Sequence, residues 1–237
     1  MQLAGMAAVV TGGTEGIGRA IALELGKAGM RVALCARTEP RVRETVADFR
    51  RSGLDAVGMA CDVSDPASVG RFAQFVQNER GTPAVVVNNA GIGRFKPIEE
   101  LSLEDWDATM ATNVRSLFLV TRAFLAGMKA ARSGAVVNIA SLAGRNGIEG
   151  GTAYCASKHA VLGFSKSLML EVRKHDIRVI AVCPGTVATP FMDKSARSRA
   201  NRDRVLMAED VAQTVLGTLT LPERAMVSEL DIRPTNP

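Results

Sequence analysis

The chain has 237 residues, 47% hydrophobic and 22% charged, the balance of an ordinary globular sequence, which excludes disordered and fibrous classes. Its formal charge is +5, from 29 Lys and Arg against 24 Asp and Glu. That is a mixed surface, so no nucleic-acid partner is expected unless the excess gathers on one face. Aromatic residues make up only 4%, and Tyr154 is the single tyrosine.

Apolar runs at residues 6–11, 31–36, 56–61, 84–88, 135–140, 178–183 and 226–232 are short, near-continuous and mostly rich in Val, Ile and Ala. Runs of this kind predict strands of a parallel sheet covered on both faces. Between them, helical periodicity predicts helices over 16–28, 41–52, 66–80, 103–131, 153–174 and 209–219. The alternation predicts a single α/β domain over residues 1–237, a doubly wound parallel sheet of seven strands with helices on both faces. Residues 186–207 are the least patterned and are expected to form a mobile crossover at the carboxyl edge of the sheet, where such folds bind ligands.

No run reaches the ~18 uncharged apolar residues of a membrane span, so no membrane partner is expected. The start MQLAGMAAVVTGG has no basic leader. Cys35, Cys61, Cys155 and Cys183 lie in apolar or small-residue stretches without C-x-x-C spacing, and read as reduced core thiols of a cytoplasmic protein. With only His159 and His175, and no second ligand pair beside Cys155 and His159, no metal site is expected.

The first strand runs into Thr11-Gly12-Gly13-Thr14-Glu15-Gly16-Ile17-Gly18, which opens the first helix. Glycines there let the backbone approach a diphosphate, and the helix N-terminus supplies free N–H groups and a positive dipole end. Any strand-to-helix turn can collect glycines, but the T-G-x-x-x-G-x-G spacing is more specific. At the end of the second strand, where NAD-preferring dinucleotide folds carry an acid for the ribose, this chain has Ala36 followed by Arg37. A guanidinium there favours a 2′-phosphate, hence NADP; the alternative is a solvated surface arginine. Glu15 is a counter-signal, which Arg37, with Arg19 or Thr38 assisting, is expected to outweigh.

Tyr154 and Lys158 are four apart and share a helical face. An ammonium about 4 Å away at an effective dielectric near 20 would favour phenolate by up to ~4 kcal/mol, about three pKa units before screening. That shift would bring the phenol into general acid and base range. Ser141 ends the strand before this helix and could donate to the same carbonyl oxygen. Taken singly, a Y-x-x-x-K pair is common on amphipathic helices and a serine after a strand is usually a cap.

In their order the motifs resemble the short-chain dehydrogenase/reductase family, in its branch of about this length. They are Thr11-Gly12-x-x-x-Gly16-x-Gly18, Asp62 in Cys61-Asp62-Val63, Asn88-Asn89-Ala90-Gly91, Asn113 in Thr112-Asn113-Val114, Ser141, Tyr154 with Lys158, and Pro184-Gly185 followed by Thr189. The resemblance implies a Rossmann-type fold and a catalytic set of Asn113, Ser141, Tyr154 and Lys158. Lys158 would hold the nicotinamide ribose as well as tune Tyr154, and Asn113 would position a water in a proton relay. Asp62 and Val63 would hold the adenine. Asn89, Ala90 and Gly91 would line the groove, and Pro184, Gly185, Val187 and Thr189 would meet the nicotinamide.

The implied reaction is NADP-dependent hydride transfer between nicotinamide and a carbonyl or secondary alcohol. Phe95, Leu142, Ile148, Phe191 and Met192 suggest an apolar substrate wall, with Arg94 and Arg145 available to an acidic substituent. A 3-oxoacyl-(acyl-carrier-protein) reductase is the alternative, with Lys129, Arg132, Arg173 and Lys174 placed to receive an acidic carrier; those cations could equally complement helix C-termini. A non-catalytic dinucleotide sensor is a further alternative, although such sensors typically lose the tyrosine or lysine. Relatives commonly form homotetramers or homodimers through the two long helices.

Overall fold

Each apolar run becomes a parallel strand. In the computed structural model, which describes residues 2–193 and 204–236 and only the backbone of 192 and 193, the strands are β1 Ala7–Thr11, β2 Arg31–Ala36, β3 Ala56–Ala60, β4 Val85–Asn88, β5 Gly134–Ile139, β6 Ile177–Pro184 and β7 Glu229–Ile232. They form one sheet in the order β3-β2-β1-β4-β5-β6-β7, parallel at every pairing. The chain reverses its winding between β1 and β4. Such a switch point opens a crevice at the carboxyl ends of the strands.

Alternate strand residues face opposite ways, so the two faces bury separate cores. Ala8, Val10, Val32 and Leu34 pack against helices α1 (Gly16–Lys27), α2 (Glu39–Arg51) and α8 (Ala208–Thr220) through Ile21, Leu25, Phe49, Val211 and Val215. Val9, Ala33 and Val86 face α3 (Pro66–Arg80), α5 (Ser116–Ala131) and α6 (Thr152–Val172) through Phe72, Val76, Phe124 and Leu168. Both layers expected from the continuous apolar runs are present.

Three of the expected elements change in ways that bear on the site or the sheet edge. The helix expected over 103–131 is interrupted: α4 (Leu103–Met110) passes through a π-turn, Ala111–Arg115, into α5. The extra residue of a π-turn rotates the next stretch of helix about its axis and often marks a functional position; here it carries Asn113. α2 begins at Glu39, with Pro40 in its first turn, because proline's fixed φ suits a helix start even though it breaks helix interiors. β7 is four residues long, paired on one side only, from Ala181↔Glu229 to Pro184↔Ile232.

Of the crossover expected at 186–207, residues 194–203 lie outside the described residues. Its flanks meet: Ala188 N–H donates to Leu206 C=O at 2.7 Å and Leu206 N–H to Thr186 C=O at 3.0 Å. A single turn, α7 (Pro190–Asp193), comes after the first flank. Among the described residues no helix is long and apolar enough to cross a membrane.

Candidate active site

Along the carboxyl edge of the sheet runs a cavity of about 1460 Å³. That is more room than a single small ligand needs. Every residue assigned to cofactor binding in the sequence lines it except Gly18. Gly18 instead lets α1 approach the loop, since a Cβ there would lie 2.2 Å from the Gly12 carbonyl oxygen and 2.3 Å from Asn89 Nδ2. Gly12 and Gly16 take left-handed backbone, φ +64° and +54°, which L side chains rarely adopt.

The loop is braced by Thr11 and Asn89. Thr11 Oγ1 accepts from the N–H groups of Asn89 (3.0 Å) and Ala90 (3.1 Å), and Asn89 Nδ2 donates to the carbonyls of Thr11 (3.0 Å) and Gly12 (3.2 Å). The ends of β1 and β4 are therefore held at a fixed separation across the switch point. Asp62, just beyond β3, accepts from Ser64 N–H at 2.9 Å and Ser64 Oγ at 2.7 Å. Those bonds, then the charges of Arg37 and Arg115, hold its carboxyl below the usual range.

Arg37 is exposed at the mouth. The expected helper Arg19 is turned away: it pairs with Asp48 at 3.6 Å, its guanidinium 5.4 Å from the Phe49 ring centroid. Thr38 does line the cavity. Sequence reasoning missed Arg41, which lines it as well and pairs with Glu15 at 2.7 Å. Starting α2 at residue 41 made Arg41 an ordinary helix-surface cation, whereas the observed start at Glu39 sets it in the first turn, facing the loop.

At the other end, Ser141, Tyr154 and Lys158 converge. Ser141 caps a 3₁₀ turn, Leu142–Gly144, accepting from Ala143 N–H at 3.1 Å, and lines the cavity as well. Its hydroxyl also favours the ionised form of the Tyr154 phenol. Lys158 Nζ donates to Ile139 C=O at 2.8 Å and stands 5.7 Å from the Tyr154 ring centroid. Asn113 lies behind this group: its Oδ1 accepts from Ile92 N–H (2.8 Å), and its Nδ2 donates to Ile92 C=O and Ser157 Oγ, both at 2.9 Å. Ser157 in turn donates to Tyr154 C=O at 2.7 Å, a link the motif reading did not include. Gly91 keeps the space open, because a Cβ there would come within 3.3 Å of Asn113 Oδ1 and 3.7 Å of Lys158 Nζ.

The electrostatics correct one expectation. Burial pushes the Tyr154 phenol up to about 12, against the opposing influence of the nearby Ser141 hydroxyl. It also brings the Lys158 amine down to about 8. The reading from spacing counted the attraction between the two charges and left out the cost of desolvating each, which here is larger.

Phe95, Leu142, Ile148 and Phe191, the residues expected to form an apolar substrate wall, line the cavity near Tyr154. The Phe95 and Phe191 rings lie 5.3 Å and 5.7 Å from that of Tyr154. The Met192 side chain lies outside the described residues. The expected acid-binding arginines are committed elsewhere: Arg94 pairs with Asp105 at 3.2 Å, and Arg145 with Asp231 at 2.6 Å and Glu229 at 2.5 Å. Neither lines the cavity. All four cysteines are free thiols, Cys155 only half-buried where a core thiol was expected.

Comparison with known proteins places this geometry. A family model described as short chain dehydrogenase matches residues 6–200. A Streptomyces violaceoruber protein, named as a putative ketoacyl reductase of the granaticin polyketide synthase, is 42% identical over 189 residues, covering 79% of this chain and 70% of that one. The 3-oxoacyl-[acyl-carrier-protein] reductase of Pseudomonas aeruginosa is 38% identical over 222 residues, 91% of this chain and 90% of its own. Among solved structures, a single-substitution variant of an actinorhodin polyketide ketoreductase with NADPH superposes with a TM-score of 0.91 at 34% identity, over 99% of this chain and 97% of that one. The chain belongs to the short-chain dehydrogenase family.

Proposed function

We propose that the protein is an NADP(H)-dependent oxidoreductase that reduces a carbonyl to a secondary alcohol, or the reverse, with Tyr154 as general acid and base. The observation that carries the reading is the convergence of Tyr154, Ser141 and Lys158 in one cavity with the glycine loop and Arg37. The NADPH-bound ketoreductase that this fold superposes on supports the cofactor. The loop backbone at Gly12, Thr14, Glu15, Gly16 and Ile17 would hold the diphosphate, Asp62 and Val63 the adenine, Arg37 the 2′-phosphate, and Pro184, Gly185, Val187 and Thr189 the nicotinamide end. When bound, the reduced nicotinamide supplies the hydride.

The chain's own residues handle the proton. Tyr154 gives the phenolic proton to the developing alkoxide while Ser141 donates a hydrogen bond to the same oxygen. The Lys158 ammonium steadies the phenolate that remains. Asn113, held by Ile92 and Ser157, positions the relay that returns a proton from solvent. Phe95 and Phe191 keep water from the Tyr154 ring and give the carbonyl an apolar seat.

A second reading, reduction of a 3-oxoacyl group on an acyl carrier protein, is favoured by the Pseudomonas relative and by one cluster. Partial desolvation, then the charges of Lys129, Lys174 and Arg132 gathered where α5 and α6 end, lower the pKa of His175. Leu103, Phe118 and Leu170, exposed on α4, α5 and α6, support assembly into a homodimer or homotetramer. The test is NADPH and NADH oxidation over ketones, aldehydes and 3-oxoacyl thioesters, free and carrier-linked. Turnover with NADPH is expected; binding of NADPH with no turnover on any substrate would leave a dinucleotide sensor.

A further inference from the structure

Glu15 stands where it should repel a phosphorylated ribose, yet its carboxylate does not face the cavity unpaired. Arg41 Nη1 lies 2.7 Å from Glu15 Oε2. Both residues line the cavity beside Arg37 and Thr38. Among the described residues Arg37 has no hydrogen bond or ion pair; its charge reaches Asp62. Arg19, the remaining cation of this corner, is engaged by Asp48 and Phe49.

We infer that Arg41 is a second ligand for the 2′-phosphate and that Glu15 holds it until the phosphate arrives, a specificity device resting on the NADP reading above. A phosphomonoester carries about −1.5 to −2 near neutral pH and presents three acceptor oxygens. One guanidinium does not match that charge, and two would. The Glu15–Arg41 pair is in solvent, with side chains 48% and 60% exposed, and such pairs are weak. A dianion held already by Arg37 therefore displaces the carboxylate from Arg41. Glu15 opposes phosphate twice, by occupying Arg41 and by repulsion, so it sets how strongly the site prefers a phosphorylated ribose.

The competing account is that Arg41 only screens Glu15. Both accounts weaken phosphate binding when Arg41 is lost, so a double substitution separates them. Titration calorimetry of the full chain with 2′,5′-ADP and with 5′-AMP gives the ratio of the two affinities, and 5′-AMP binding reports an intact site. Arg41→Gln should lower that ratio about tenfold, the scale of one charge-assisted contact, and Glu15→Gln should raise it roughly threefold or more. Glu15→Gln with Arg41→Gln should fall about tenfold below Glu15→Gln alone. A double variant equal to Glu15→Gln overturns the inference and leaves Arg41 a screen. A wild-type protein that does not distinguish 2′,5′-ADP from 5′-AMP overturns the NADP reading itself.

Discussion

The two ends of the cavity are built on different principles. At the loop end the work is done by backbone and by exposed charge: glycines that no Cβ can replace, and arginines reaching in from solvent. At the tyrosine end it is done by buried titratable side chains, with Tyr154 9% and Lys158 6% exposed. The first design is sensitive to added atoms and added salt, the second to pH. A dinucleotide needs close approach and neutralised charge, whereas a proton donor needs a displaced pKa and little water.

The largest consequence belongs to the buried end. The Lys158 amine falls from an ordinary 10.5 to about 8 on folding. Below about 8 it is charged in both states, and between about 8 and 10.5 only the unfolded chain keeps the proton. The unfolded state then binds more protons, so stability rises with pH across that window, by about 3 kcal/mol in total. Denaturant titrations of the free protein at a series of pH values should show the rise, and Lys158→Met should abolish it. A pH-independent difference between the two proteins would mean that the amine keeps its ordinary pKa.

At the loop end, Gly18→Ala drives a Cβ against the Gly12 carbonyl and should cost about 1–3 kcal/mol by overpacking. Gly70→Ala is its contrast: this residue is in α3 with nothing within 4 Å of a Cβ, and it should gain about 1 kcal/mol. Equal thermal shifts would show that the loop is not the tight contact it is taken to be. Arg37→Asp should weaken NADPH binding by about tenfold or more and leave NADH nearly unchanged; equal losses for both would move the phosphate elsewhere. Ser141→Ala leaves burial unopposed in raising the Tyr154 pKa and removes a donor to the developing alkoxide, and should lower kcat by about 10²–10³, with the alkaline limb of the pH profile shifted upward.

Legibility from sequence divides along the same line. Short apolar runs located the seven strands, because a buried parallel strand admits little else. The glycine spacing located the loop, since left-handed φ and close approach each demand that residue. The π-turn at Ala111–Arg115 was not legible: an inserted residue leaves the apolar periodicity on both sides intact. Arg41 was missed because the helix was expected to start at residue 41, whereas it starts at Glu39 and sets Arg41 in its first turn beside the cavity. The direction of the Tyr154 shift failed for a different reason. Spacing shows that two groups are near each other but not how far both are from water, and burial outweighed the pair attraction. Arg94 and Arg145, free cations in the sequence, proved to have carboxylate partners that only tertiary structure brings to them.

The central claim is that Tyr154 delivers the proton to a carbonyl oxygen. Its most direct test is single-turnover NADPH oxidation with a ketone accepted in the substrate screen, wild type against Tyr154→Phe. Because the chain has one tyrosine, no other phenol can substitute. The variant should be slower by about 10²–10⁴, the usual contribution of a positioned acid, with NADPH affinity retained. An unchanged rate at full NADPH occupancy would contradict the claim.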